Sequence, residues 1–184
     1  MKITSLIAIA VLASVGTANA RPRPHGFGGK HFEANKTFGL GLELGEPTGL
    51  TGKLFLQPDQ AIQFGVGDIY HHYYGGDGLH LYFDYLWHPV SLVSAEAFEL
   101  PFYVGIGGRT WFFDYGCPNG PNQVCNGAEA FGIRVPLGVS FDFNNVPLDI
   151  FIQLVPTLDF FRDYAPHNVY LDVDFSVGIR YWFS

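Results

Sequence analysis

Basic side chains are scarce. The 184 residues hold 10 Lys and Arg against 17 Asp and Glu, a formal net charge of −7 at pH 7. Binding to nucleic acid rests on a basic stripe that neutralises phosphates, and none is present. Long hydrophobic runs are also missing. Beyond the first 20 residues, no apolar stretch reaches the about 20 residues that a membrane-spanning helix requires. A polytopic helical membrane protein is therefore excluded. Cysteine is rare as well, with two in the whole chain, so a disulfide-dense scaffold is ruled out. Neither lies near the end of the leader, which leaves no lipid-anchor site there. There is no internal repeat and no linker that would divide the chain. Helical periodicity is nearly absent, with only "SLVSAEAFEL" giving a short hint of it.

What is present begins with "MKITSLIAIAVLASVGTANA". Lys2 supplies a charged start, Leu6 to Val15 an apolar run, and Ala18-Asn19-Ala20 a small-residue cleavage site, so residues 1–20 are expected to be a secretory signal peptide. Residues 21–37, rich in Pro, Gly and His, are expected to form a mostly unordered N-terminal tether. Residues 38–184 then read as strand after strand.

Eight windows show period-two patterning: Phe38–Gly45, Leu50–Leu56, Ala61–Tyr70, Leu79–Trp87, Phe102–Phe112, Phe131–Phe143, Leu148–Phe160 and Val169–Phe183. Gly, Pro, Asn and Asp separate them, as turn chemistry requires. In "FGIRVPLGVSFDF" one alternate set is Phe131, Ile133, Val135, Leu137, Val139 and Phe141. The other is Gly132, Arg134, Pro136, Gly138, Ser140 and Asp142. Each strand thus has a greasy face and a face of glycine and charge. The first hairpin, "GEPTG", is expected to turn tightly, with Pro47 second and Gly49 fourth in a type I turn.

Volume decides which face points inward. An eight-stranded barrel has an interior just wide enough for side chains to fill, and about a dozen side chains fill the barrel core of a comparable parallel fold. The apolar set is far too large for that space, whereas the glycine-and-charge set fits if its acids and bases pair, because an unpaired buried charge is costly. The expected lumen ion network is Glu43, Lys53, Asp84, Arg109, Arg134, Asp159, Asp172, Asp174 and Arg180, with the three arginines reaching Glu43, Asp159, Asp172 or Asp174. A soluble secreted β-sandwich is the rival reading. It would bury the apolar faces but expose strand glycines such as Gly65, Gly107 and Gly138, where they weaken a strand to no purpose.

The expected fold class is therefore all-β, an eight-stranded antiparallel up-and-down transmembrane β-barrel, placed in a bacterial outer membrane with outer-membrane lipid as first partner. Aromatics near strand ends fit two interfacial girdles: Tyr70, Tyr73, Tyr74, Trp111, Phe112, Phe113, Phe160 and Phe161 on the outer side, and Phe38, Trp87, Phe102, Phe141, Tyr181 and Phe183 on the inner.

Candidate chemistry is thin. Cys117 and Cys125, in "CPNGPNQVC" between strands five and six, read as a disulfide that pins a long outer loop. His71, His72, Asp77 and His80, at an outer strand end, are weak candidates for a divalent-metal site or for the acid/base groups of a lipid-modifying barrel enzyme. Adjacent histidines on a strand point to opposite faces, however, and no nucleophile is marked. Solvated loop residues are the expectation for this group. No catalytic residue and no cofactor is expected. A conducting pore would need an open lumen, which eight strands do not usually leave.

"GLELGEPTGLTGKLFL", "LPFYVGIGGR", "GIRVPLGVSFDF" and the closing "GIRYWF" resemble a family of small, functionally uncharacterised bacterial outer-membrane β-barrel proteins with the architecture of OmpA, OmpX and OmpW. The resemblance covers about Phe38 to Phe183 and is most specific in "GEPTGLTGK". It implies insertion by the outer-membrane assembly machinery, which commonly recognises a closing aromatic residue, here Phe183 with Ser184 after it. It brings no catalytic residues. The role it leaves is structural or surface-interacting, with an unknown surface ligand.

Overall fold

A computed structural model describes residues 26–71, 76–113, 128–161 and 169–183. The described strands are β1 (Gly26–Lys30), β2 (Phe38–Gly45), β3 (Thr48–Gln57), β4 (Gln60–His71), β5 (Gly76–Ser94), β6 (Phe98–Phe113), β7 (Ala128–Arg134), β8 (Leu137–Phe143), β9 (Leu148–Phe161) and β10 (Val169–Phe183). Every pairing among them is antiparallel.

From β2 to β6 each strand pairs with the next, and β6 pairs with both β7 and β8. Both of these pair with β9, which pairs with β10. The ring closes where β10 returns to β2, from Ser176 opposite Gly45 to Phe183 opposite Phe38. With β7 and β8 counted as two halves of one wall strand, this is a closed up-and-down ring of eight.

The break in that strand falls at Val135-Pro136, inside the window read as continuous. Proline has no N–H to give the ladder. The wall is nonetheless unbroken, because Val135 N–H donates to the Pro156 carbonyl (2.9 Å) and the Pro136 carbonyl accepts from Gly105 N–H (2.9 Å).

Burial alternates in the inverse sense to a soluble protein. In β8 and β10 the polar or small residues Gly138, Ser140, Asp142, Asp174, Ser176, Gly178 and Arg180 are buried, while Leu171, Val173, Phe175 and Ile179 are exposed. Leu171 is 80% exposed, Phe131 62% and Leu42 58%, whereas Arg134, Asp174 and Arg180 are at 0%. The greasy faces point outward all around the ring, so the interior is the polar one.

Three connections differ from the sequence reading. Pro89–Leu100, read as a long connection with a trace of helix, is strand: β5 and β6 continue past the ring and turn at Ala95–Ala97, with register shifts near Trp87/Val90 and Ser91/Ser94. Cross-strand pairing overrides the short helical pattern. Residues 21–37 are not wholly unordered, since β1 adds to the projecting end of β5, Gly26 opposite Ser94 and Lys30 opposite Ser91. The first hairpin turns over Gly45–Thr48, one residue earlier than a type I turn would place it. Glu46–Pro47 is cis, Gly45 takes φ +118°, and Thr48 Oγ1 bonds both the N–H and the carbonyl of Gly45.

The turns at 58–59, 95–97 and 144–147 and the ring's two chain ends share one rim, here the turn end; the turn at 46–47 and the strand ends at His71, Gly76, Phe113, Ala128, Phe161 and Val169 lie at the other, the loop end. Aromatics ring both. Phe112 and Phe160 are exposed toward the loop end; Trp87 and Tyr181 are exposed and Phe38, Phe102, Phe141 and Phe183 half-buried toward the turn end. Trp111 departs from the expected girdle. It shares the parity of Arg109 and is buried in the lumen. The side chains of Tyr70, Phe113 and Phe161, and Tyr73 and Tyr74 altogether, lie outside the described residues.

Candidate functional site

The lumen is the place where chemistry-bearing side chains converge, and glycine makes it possible. On β6 and β7, Gly107 and Gly132 leave gaps that charged chains cross. Register sets Asp84 opposite Gly107 and Gly107 opposite Arg134; one step along, it sets Arg109 opposite Gly132 and Gly132 opposite Asp159. An acid thus reaches an arginine across an intervening strand twice, in opposite directions. A Cβ on Gly107 would strike Asp84, and one on Gly132 would strike Asp159.

Arg109 is fully engaged. Its Nε donates to Asp159 Oδ1 (2.8 Å) and its Nη2 to Asp159 Oδ2 (2.5 Å) and Thr157 Oγ1 (2.8 Å); its Nη1 bonds Asp174. Arg134 Nε lies 3.1 Å from Asp84 Oδ1, yet none of the nitrogens of its guanidinium makes an aligned hydrogen bond. Arg180 forks onto Asp149 (Nε–Oδ1 3.0 Å, Nη2–Oδ2 2.8 Å) and gives Nη1 to Gln63 Oε1 at 2.9 Å.

From Arg180 a relay of neutral groups crosses the barrel. Gln63 Nε2 donates to Gln153 Oε1 (3.1 Å), Gln153 Nε2 to Glu43 Oε1 (3.1 Å), and the Tyr82 hydroxyl to Glu43 Oε2 (2.5 Å), with Thr51 on Tyr82 at 2.9 Å. Tyr103 adds a second donor to Gln153 Oε1, at 3.1 Å. Lys53 meets His88 Nε2 at 2.7 Å.

Aromatic rings seat the cations. Arg134 stacks on Tyr82 (4.0 Å), Arg180 on Phe151 (4.1 Å), Lys53 on Tyr103 (4.7 Å) and Arg109 on Trp111 (4.0 Å). Three of these rings in turn lie against glycines: Tyr82 against Gly65, Phe151 against Gly178, Tyr103 against Gly138. Glycine, ring and cation form a layered unit that recurs three times, and the cation–π contact strengthens where water is excluded.

Eight of the nine expected network residues are buried in the lumen, in several clusters whose partners are not always those expected. Glu43 is held by Tyr82 and Gln153, Arg134 faces Asp84, and Arg180 takes Asp149. Asp172 is half-buried near the loop end, where one oxygen each of Glu46, Asp172 and Asp174 come within 4.8 Å of one another. Of the weak candidates, His80 is no solvated loop residue. It is buried in the lumen against Trp111 and Tyr82 (ring centroids 5.7 and 6.0 Å) and makes no hydrogen bond. The side chains of His71 and Asp77, and His72, Cys117 and Cys125 altogether, lie outside the described residues. The neutral relay and the ring seats were missed. Strand parity could have found Tyr82 and His88, which alternate with His80 and Asp84 in "HLYFDYLWH".

Residues 29–184 match the family described as "Protein of unknown function (DUF3996)". The chain belongs to that family. Among solved structures it is similar to the N-terminal β-barrel domain of Pseudomonas aeruginosa OprF, at 16% sequence identity and a TM-score of 0.46, over 79% of this chain and 94% of that one. No curated protein matches.

Proposed function

We propose that this member of the DUF3996 family is an outer-membrane β-barrel protein with a structural or surface-interaction role and no catalytic one. One observation carries the reading: in a closed ring most large apolar side chains of the described wall are exposed, while Arg109, Arg134, Arg180, Asp84, Asp149, Asp159 and Asp174 are buried. Water would penalise such a surface over its whole girth, whereas hydrocarbon matches it. A closed barrel also leaves no backbone edge unsatisfied in lipid. Buried acids and bases face one another inside, which favours a filled lumen over a reaction centre.

In this reading residues 1–20 direct export and are removed, and the assembly machinery inserts the barrel with its turn end in the periplasm. The loop end faces outward, where 114–127 is closed by a Cys117–Cys125 disulfide and the loops meet a surface ligand. The test is to express the precursor, isolate outer membranes and compare unboiled with boiled samples on a denaturing gel. A membrane-bound band whose mobility changes on boiling is expected. Protein recovered free of detergent from periplasm or medium, with no shift, would overturn the reading.

A further inference from the structure

The chain just ahead of the ring does more than lead into it. Phe32 is buried at the turn end of the lumen, its ring 5.9 Å from Phe55 and 5.4 Å from His88 by centroids. Phe55 in turn stacks on Trp182 at 5.6 Å, and His88 lies 5.5 Å from Tyr103. These rings form a floor at which Lys53 bonds His88. Phe32 completes that floor from below.

Backbone bonds fix the rest of the segment to the rim. Ala34 N–H donates to the Pro58 carbonyl (2.6 Å), and the Thr37 carbonyl accepts from Phe55 N–H (2.8 Å). Lys36 then reaches the opposite wall, pairing with Asp142 and donating to the Phe143 carbonyl at 2.9 Å, with both charged side chains only 10% exposed. The backbone of the segment stays on β3 and the turn after it, Phe32 reaches under the lumen to β5, and the Lys36 side chain crosses the mouth to β8.

We propose that residues 31–37 are a plug that closes the turn end of the lumen over the Lys53–His88 pair, seated by Phe32 and latched by the Lys36–Asp142 ion pair. The seat is built of rings and the latch is one largely covered charge pair at the rim, so the two respond to different perturbations. Loss of the ring opens the floor to water. Loss of the latch loosens the strap while the aromatic floor stays whole.

Lysine reactivity reads both. The full mature chain, folded in detergent, is treated with a membrane-impermeant amine-acylating reagent, and the folded gel band is analysed by mass spectrometry. In the native protein, exposed Lys30 should react first and Lys36 and Lys53 at least tenfold more slowly. Phe32→Ala should speed acylation of Lys53 at least fivefold. Asp142→Asn, which leaves every ring in place, should speed Lys36 at least fivefold and admit trypsin after it. Lys53 reacting as fast as Lys30 in the native chain would overturn the plug. So would an Asp142→Asn chain whose Lys36 keeps its native rate, an outcome readable even if Phe32→Ala fails to fold.

Discussion

Two bridges in the lumen share one plan and differ in quality. Arg109 reaches Asp159 across Gly132, and Arg134 reaches Asp84 across Gly107, each stacked on an aromatic ring at 4.0 Å. The first has a fork-to-fork match plus Thr157 and Asp174. The second has proximity without alignment. Burial is nearly equal, so it does not explain the contrast. What differs is the number of acceptors around the fork: Arg109 has three residues converging from β9 and β10, and Arg134 is placed mainly by the face of Tyr82. A guanidinium held in a bidentate grip is fixed in geometry, while a stacked one is fixed only in plane.

The largest effect should come from breaking the better bridge. Arg109→Met removes the partner of two buried aspartates at once, and stranding buried charge costs about 3–5 kcal/mol. Denaturant titration of the barrel in micelles, followed by tryptophan fluorescence, should show the midpoint fall accordingly. A loss below about 1 kcal/mol would mean that the network around Arg109 is hydrated and its bonds are worth what surface pairs are.

How much of this was legible beforehand follows from what alternation can and cannot encode. The ring, its strand order and its inverted faces were readable, because period two assigns every side chain to one of two faces and the volume of a small barrel forbids the greasy one inside. Arg109, Arg134 and Arg180, and Asp84, Asp159 and Asp174 with them, lie on the inward parity and are buried. Trp111 was misplaced because its position near a strand end was weighed above its parity with Arg109. Tyr103 and Phe151 escaped because an inward aromatic among apolar neighbours looks no different from an outward one until parity is counted. The partners themselves were not readable. Pairing across a glycine depends on register between strands, which one sequence does not state. Residues 31–37 look like loop by composition, and tertiary contacts order them: the seat of Phe32, the backbone bonds of Ala34 and Thr37, and the Lys36–Asp142 pair.

A smaller effect should follow from closing the gap that a bridge crosses. A Cβ at Gly132 would strike Asp159 and sit 3.0 Å from Arg109 Cγ, so Gly132→Ala forces both chains aside. Overpacking of this kind costs about 1–3 kcal/mol. The same titration should place this variant between the native chain and Arg109→Met. If it matches the native midpoint, the bridge relaxes around a methyl group and the glycine serves strand shape instead.

The smallest effect should come from erasing the poorer bridge as a unit. Replacing a buried ion pair by apolar residues of similar size is often neutral, or stabilising by about 1–4 kcal/mol, because desolvation of both charges is no longer suffered. Arg134 makes no aligned hydrogen bond, so Asp84→Leu with Arg134→Met gives up little and keeps the ring of Tyr82 covered. The midpoint of that double variant should stay or rise. Arg109→Met with Asp159→Leu would still strand Asp174, so its midpoint should fall. Were both double variants to fall alike, the alignment seen at Arg109 would carry no energetic weight, and the aromatic seats would be what holds the lumen together.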